Sequence, residues 1–159
     1  MKKISVMSCI ATVVIMALIF WFSSQNSDDS SDVSRGFMMF LIDLFPGSSD
    51  LSADAKLELI YSLHGVVRKI AHFSIYTALG LSSAAAVLSI SGMSVKRSML
   101  ISVPFCALYS FTDEIHQSFV SGRSGELRDM LIDTSGALFG GLLLMIIVTA
   151  AVSLKHKKR

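Results

Sequence analysis

Residues 113–133 read DEIHQSFVSGRSGELRDMLID, and this stretch separates two long apolar runs of the chain. It holds carboxylates, a histidine, a glutamine and arginines, although the whole chain is 52% hydrophobic and only 16% charged. Placing a charged side chain in hydrocarbon costs several kcal/mol. Ionisable groups at the seam between two apolar runs therefore predict a functional site.

Four apolar runs predict the fold class. They cover about residues 4–22, 70–91, 99–119 and 130–154. Each is near the length at which a helix crosses a hydrocarbon core of about 30 Å. We predict an all-α integral membrane protein, folded as one four-helix bundle over residues 1–159.

The first run could also belong to a signal peptide, because it follows Lys2 and Lys3. Its length of about nineteen residues exceeds that of a usual signal core, so we expect a retained anchor. Cys9 and Cys106 both fall inside apolar runs. They are predicted to be packed thiols and not a disulfide.

The distribution of charge predicts the orientation in the membrane. Eight of the fourteen lysines and arginines lie before the first run, between the second and third, and after the fourth, where no Asp or Glu occurs. The positive-inside rule places these segments, and both termini, in the cytoplasm. The site then faces the extracytoplasmic side of the cytoplasmic membrane. Because topology accounts for the basic residues, we expect membrane lipids and no nucleic acid as partners.

The first external loop is predicted to carry two short helices. Apolar residues recur at helical spacing over Val33–Phe45, which is too short to span and suits a helix lying in the interface. Ser52 can cap a second helix. Gly65 is expected to separate that helix from the second span, as a bend.

Polar residues fall on single faces of three predicted spans. The spacing i, i+4 and i+8 aligns Arg68, His72 and Tyr76, and a similar face carries Asp113, His116 and Gln117. With the predicted topology, three spans bring their polar groups to one depth near the outer leaflet. These groups are Arg68, His72, Asp113, His116, Gln117, Arg123, Asp129 and Asp133.

The same residues form recognisable motifs. They are Arg68-Lys69-x-x-His72-Phe73-x-x-Tyr76, Asp113-Glu114-x-His116-Gln117-x-Phe119-x-x-x-Arg123-x-x-x-x-x-Asp129-x-x-x-Asp133-x-x-Gly136, and Phe22-Ser23-Ser24-Gln25. Together they resemble the signature of the VanZ-like membrane protein family. The resemblance implies a small bacterial cell-envelope protein, and the family's name-giving member is associated with low-level teicoplanin resistance. It also implies a set of functional residues. The candidates for catalysis are His72, Asp113, His116 and Asp133, and those for binding are Arg68, Lys69, Tyr76, Glu114, Gln117, Arg123 and Asp129.

Several kinds of chemistry suit these residue types. Asp113 and His116 could act as an acid–base pair, with Asp113 or Asp133 orienting the imidazole. Arg68 and Arg123 suit a phosphate or carboxylate, such as that of a lipid-linked or peptidoglycan precursor. A metal site is possible in ligand type, but no tight ligand pattern supports it. We therefore expect neither a metal nor a cofactor.

Three functions remain open on these residues. The site could be an enzyme acting on an anionic envelope precursor. It could be a non-catalytic binder or shield that alters the access of glycopeptides. The polar residues could also form a buried network that only locks three helices together.

Overall fold

The protein is built from long helices. The computed structural model describes residues 2–26, 35–36, 38–40, 42–44, 46, 51–123 and 125–157, and no β-strand occurs among them. The long helices are α1 (Lys2–Ser23), α2 (Ala53–Ser91), α3 (Val95–Ser118) and α4 (Leu127–Lys157). The predicted all-α fold is confirmed.

Helix α2 is the centre of the fold, because it packs against α1, α3 and α4. The hydroxyl of Ser52 caps its start by accepting a hydrogen bond from the backbone N–H of Ala55 at 3.2 Å, as predicted. The predicted bend at Gly65 is wrong, since one continuous helix runs from Ala53 to Ser91. An interior glycine costs a helix only about 1 kcal/mol relative to alanine. That cost is too small to break a helix held by three neighbours.

Helices α2 and α4 approach each other so closely that their contact depends on glycine. A Cβ atom added at Gly136 would collide with the backbone carbonyl of Phe73, and one added at Gly140 with that of Thr77. Small residues four apart on one face allow this kind of approach. The close approach at these two glycines fixes the first turns of α4 against α2.

Three of the four helices are long and apolar enough to cross a membrane: α1 over Ser5–Ser23, α2, and α4 over Leu127–Lys155. This composition is that of a multi-pass membrane protein. Helix α3, predicted as the third span, has 24 residues but less apolar content. The reason is its buried face, on which Ser98, Ser102 and Ser110 are almost fully covered.

Part of the first loop packs against the start of α2. Residues 35–36, 38–40 and 42–43 are helical, and the side chain of Met38 is buried. Asp43 forms an ion pair with Lys56, with 2.7 Å between Oδ1 and Nζ. The predicted interfacial helix Val33–Phe45 includes residues 33, 34, 37, 41 and 45, which lie outside the described residues. Its position at the membrane interface stays a prediction.

The glycine contact can be tested by adding one methyl group. Gly140→Ala should lower the thermal stability of the detergent-purified protein, because overpacking typically costs about 1–3 kcal/mol. Gly65→Ala is the matched control, since nothing lies within 4 Å of a Cβ atom there, and it should leave the melting temperature unchanged or raise it. Equal melting temperatures for the two variants would show that the α2–α4 contact does not depend on Gly140.

Candidate functional site

One buried polar cluster is centred on Asp133, in the second turn of α4. Its side chain is fully buried. Its Oδ1 lies 3.2 Å from Nδ1 of His72 on α2. Its Oδ2 accepts a hydrogen bond from the hydroxyl of Ser110 on α3 at 2.7 Å. A carboxylate facing Nδ1 holds the proton on that nitrogen and leaves Nε2 as the free ring nitrogen.

A second cluster is centred on Asp113 and connects side chains from α1 and from the other three helices. Asp113 Oδ2 accepts hydrogen bonds from the hydroxyl of Ser23 at 2.9 Å and from Nε2 of Gln117 at 3.0 Å. The Gln117 Oε1 atom in turn accepts from Nη2 of Arg68 at 3.2 Å. The same Nη2 lies 3.7 Å from Oδ2 of Asp129. All four helices therefore contribute a side chain to this chain of contacts.

The four candidates for catalysis are distributed over these clusters and a third place. His72 and Asp133 are paired, and Asp113 interacts with both electrostatically. His116 instead turns towards the end of α1. Its Nε2 lies 3.1 Å from the hydroxyl of Ser24, and its ring stacks on that of Phe20. Among the described residues no hydrogen bond joins His116 to Asp113 or Asp133. Three residues along a helix place the His116 side chain about 60° around the axis from that of Asp113, which is enough to face a different neighbour.

Glu114 holds the loop between α3 and α4. Its side chain is buried, and its Oε2 accepts a hydrogen bond from the backbone N–H of Glu126 at 2.7 Å. Gly125 fits tightly beside the backbone carbonyl of Glu114, where a Cβ atom would collide. The loop turns at Gly122, which has a φ of 75°. These contacts fix the position of Arg123, so Glu114 acts on the site through the loop.

A cavity of about 240 Å³ lies beside the two clusters. It is partly open, and among the described residues no Asp or Glu lines it. The lining residues are Ile19, Phe22, Ser23, Gln25, Arg68, Ala71, His72, Ile75, Tyr76 and Arg123. The described acids near this cavity therefore do not line it. The ionisable groups that do line it are cationic or can donate a proton.

Two groups at this cavity lack a partner. The guanidinium of Arg123 makes no hydrogen bond or ion pair with the described residues, and burial together with the nearby Arg68 guanidinium lowers its pKa. The hydroxyl of Tyr76 is buried without a hydrogen-bond partner in the described structure. Ser110 lies close to that hydroxyl, but the contact does not have the geometry of a hydrogen bond, and the Ser110 proton goes to Asp133.

Other residues are placed differently from the sequence prediction. Lys69 is half-buried and makes no hydrogen bond or ion pair within the described ranges. Ser110 was not among the predicted site residues. Its position inside an apolar run, one turn before Asp113, is the one sequence feature that points to it. For Ser23 the only indication in the sequence is the motif Phe22-Ser23-Ser24-Gln25. Among the described residues, no group of three or more His, Cys, Asp and Glu is arranged to hold a metal ion.

The hydrogen bond to Asp133 gives a test on two matched serines. Ser110→Ala should destabilise the protein by about 1–3 kcal/mol, because it leaves a buried carboxylate oxygen without its donor. Ser102→Ala is the control: Ser102 is equally buried on α3, but its hydroxyl has no partner. Removing that hydroxyl should be neutral or stabilising. Thermal unfolding in detergent measures both, and a harmless Ser110→Ala would mean that the Asp133 cluster does not depend on this bond.

Comparison with known proteins identifies the family. A model of the VanZ/LLP1 family matches residues 8–148. No curated protein matches the chain, and neither does any solved structure. The family match includes both polar clusters and every residue that lines the cavity, and it covers most of the 159 residues. The chain belongs to the VanZ/LLP1 family.

Proposed function

We propose that all four helices cross the cytoplasmic membrane as one bundle, with both termini in the cytoplasm. The distribution of basic residues supports this orientation. The surface of α3 supports its role as a span, because its serines at 98, 102 and 110 are covered while, between its two polar ends, its exposed large side chains are apolar. These are Leu100, Ile101, Phe105, Leu108, Phe111 and Ile115. The polar site then faces the extracytoplasmic side, near the outer leaflet.

For the site itself, we propose binding of an anionic, lipid-linked or peptidoglycan precursor of the cell envelope. The observation that carries this proposal is the cavity wall, whose described part presents Arg68, Arg123 and His72 and no carboxylate. Guanidinium groups bind phosphates and carboxylates through strong charge-assisted hydrogen bonds. An unpaired Arg123 is ready to take such a partner without first breaking an internal ion pair.

The family suggests the consequence for the cell. A protein that holds an envelope precursor at the outer leaflet changes how much of it glycopeptides can reach. We propose that this is how the chain is linked to glycopeptide resistance, including resistance to teicoplanin. On this proposal the residues of the Asp113 and Asp133 clusters keep the cavity in shape and do not react with the ligand.

A second candidate function is acid–base catalysis on the same precursor. One observation favours it: His72 lines the cavity while Asp133 orients its ring from behind, at 3.2 Å. An imidazole with one nitrogen held by a carboxylate and the other free can move a proton. This pair replaces the Asp113–His116 pair as the acid–base candidate that the geometry supports best.

The orientation is tested by labelling single cysteines in whole cells. In a background without Cys9 and Cys106, Ser121→Cys should react with an impermeant maleimide and Ser94→Cys should not. Both positions are exposed, so accessibility within the protein does not separate them. Labelling at position 94 but not at position 121 would reverse the orientation and remove the site from the outer side.

The binding role is tested by two arginines on the same side of the membrane. Arg123→Gln should abolish the effect of the protein on teicoplanin susceptibility, because it removes the unpaired cation from the cavity wall. Arg128→Gln removes the same charge from an exposed position outside the cavity and should have no effect. The proposal is wrong if the two variants, expressed at equal levels, behave alike.

His72→Asn separates binding from catalysis. The amide nitrogen of asparagine can replace Nδ1 as the donor to Asp133, but the side chain cannot move a proton. If the site only binds, His72→Asn should keep most of the resistance effect. Complete loss in a variant that remains folded and inserted would favour catalysis instead.

A further inference from the structure

Resting on the proposed function, we propose that the cavity recognises the phosphate of a lipid phosphate and holds the first part of its hydrocarbon chain. On this inference Arg68, Arg123 and Tyr76 bind the phosphate oxygens. The chain lies along Ile19, Phe22 and Ile75. The sugar or peptide part of a precursor stays outside the cavity.

The charge at the cavity favours a phosphate over a carboxylate. Arg68 and Arg123 repel each other, and Asp113 and Glu114 attract Arg123 without forming an ion pair with it. Within the described structure only Arg68 has a carboxylate within 4 Å, that of Asp129 at 3.7 Å. A carboxylate brings one negative charge, whereas a phosphate monoester carries nearly two above its second pKa of about 6. The dianion relieves the repulsion between both guanidiniums and leaves neither without a partner.

The buried hydroxyl of Tyr76 supplies a further donor. Its side chain forms part of the cavity wall but has no surface exposed to water, so it must shift for its hydroxyl to reach a ligand. The hydroxyl has no partner among the described residues. Buried polar groups are nearly always hydrogen-bonded in proteins. A phosphate has three oxygens to distribute among two guanidiniums and one hydroxyl, while a carboxylate has two.

The walls and the size of the cavity indicate what the phosphate is attached to. Ile19 and Phe22 from α1 and Ile75 from α2 line the same cavity as the arginines and supply its apolar surface. The volume of about 240 Å³ is below the range of about 300–1,000 Å³ in which whole drug-sized ligands are held. It accommodates a phosphate and a short length of hydrocarbon chain. It is too small for the sugar or peptide part of an envelope precursor.

The inference is tested with three probes on the purified full-length protein in a neutral maltoside detergent at about pH 8, where a phosphate monoester is a dianion. The probes are dodecyl phosphate, dodecanoate and inorganic phosphate, and binding is measured by isothermal titration calorimetry. We expect dodecyl phosphate to bind at least tenfold more tightly than either of the others. Equal affinity for inorganic phosphate would show a free-phosphate site and overturn the lipid assignment.

Three variants assign the binding to this cavity. Arg123→Gln should weaken dodecyl phosphate binding at least tenfold, and Arg128→Gln should not change it. Tyr76→Phe should weaken binding several-fold while leaving the melting temperature unchanged or higher, because the hydroxyl it removes has no partner. Unchanged binding in both Arg123→Gln and Tyr76→Phe overturns the inference.

The outcomes separate this inference from the proposed function. If dodecanoate binds as tightly as dodecyl phosphate and both depend on Arg123, the cavity is a site for anionic lipids and the phosphate assignment is wrong. If the wild-type protein binds none of the three probes, and Arg123→Gln leaves teicoplanin susceptibility unchanged, the proposed function and this inference both fail. If no probe binds but Arg123→Gln abolishes the effect on susceptibility, only the lipid-phosphate assignment is wrong.

Discussion

The structure depends on keeping buried carboxylates hydrogen-bonded among apolar helices. Asp133 is fully enclosed, and its partners come from α2 and α3, through His72 and Ser110. Leaving a buried acceptor without its hydrogen-bond donor costs about 1–3 kcal/mol, and more where the group is charged. The helix ends are therefore fixed relative to one another, since sliding any of them would leave a charge without its partner.

The glycines of α2 and α4 make this polar arrangement possible. Gly136 follows Asp133 by three residues and lies against the backbone at Phe73, next to His72. Without the close approach of the two backbones, the aspartate and the histidine would not reach each other. Packing between small residues and pairing between polar ones thus specify the same register, which is the kind of agreement that selects one structure over alternatives.

Much of this could be predicted from the sequence, because apolar runs and helical spacing report directly on helices and their faces. The four helices and the Ser52 cap followed in this way. The pairing within the site did not, since Asp113, His116 and Gln117 share one face at sequence level and their exact neighbours depend on how α1 packs. His116 turned to Ser24 and Phe20. Gly65 misled because a single glycine inside a helical pattern is tolerated, at a cost of only about 1 kcal/mol relative to alanine.

The division of charge across the cavity wall has a physical consequence. If the polar residues served only to lock the helices, every cation and hydroxyl at this end would be expected to pair with one of the nearby acids, because each unmet group costs stability. Instead Glu114 accepts a hydrogen bond from the backbone of the loop that carries Arg123. Arg123 itself forms no ion pair with the described residues and is repelled by the guanidinium of Arg68. On the proposed function, placing Arg123 near Arg68 without an ion-pair partner would lower the stability of the empty site and raise its affinity for an anion. A network that only locked the helices together would gain nothing from that arrangement.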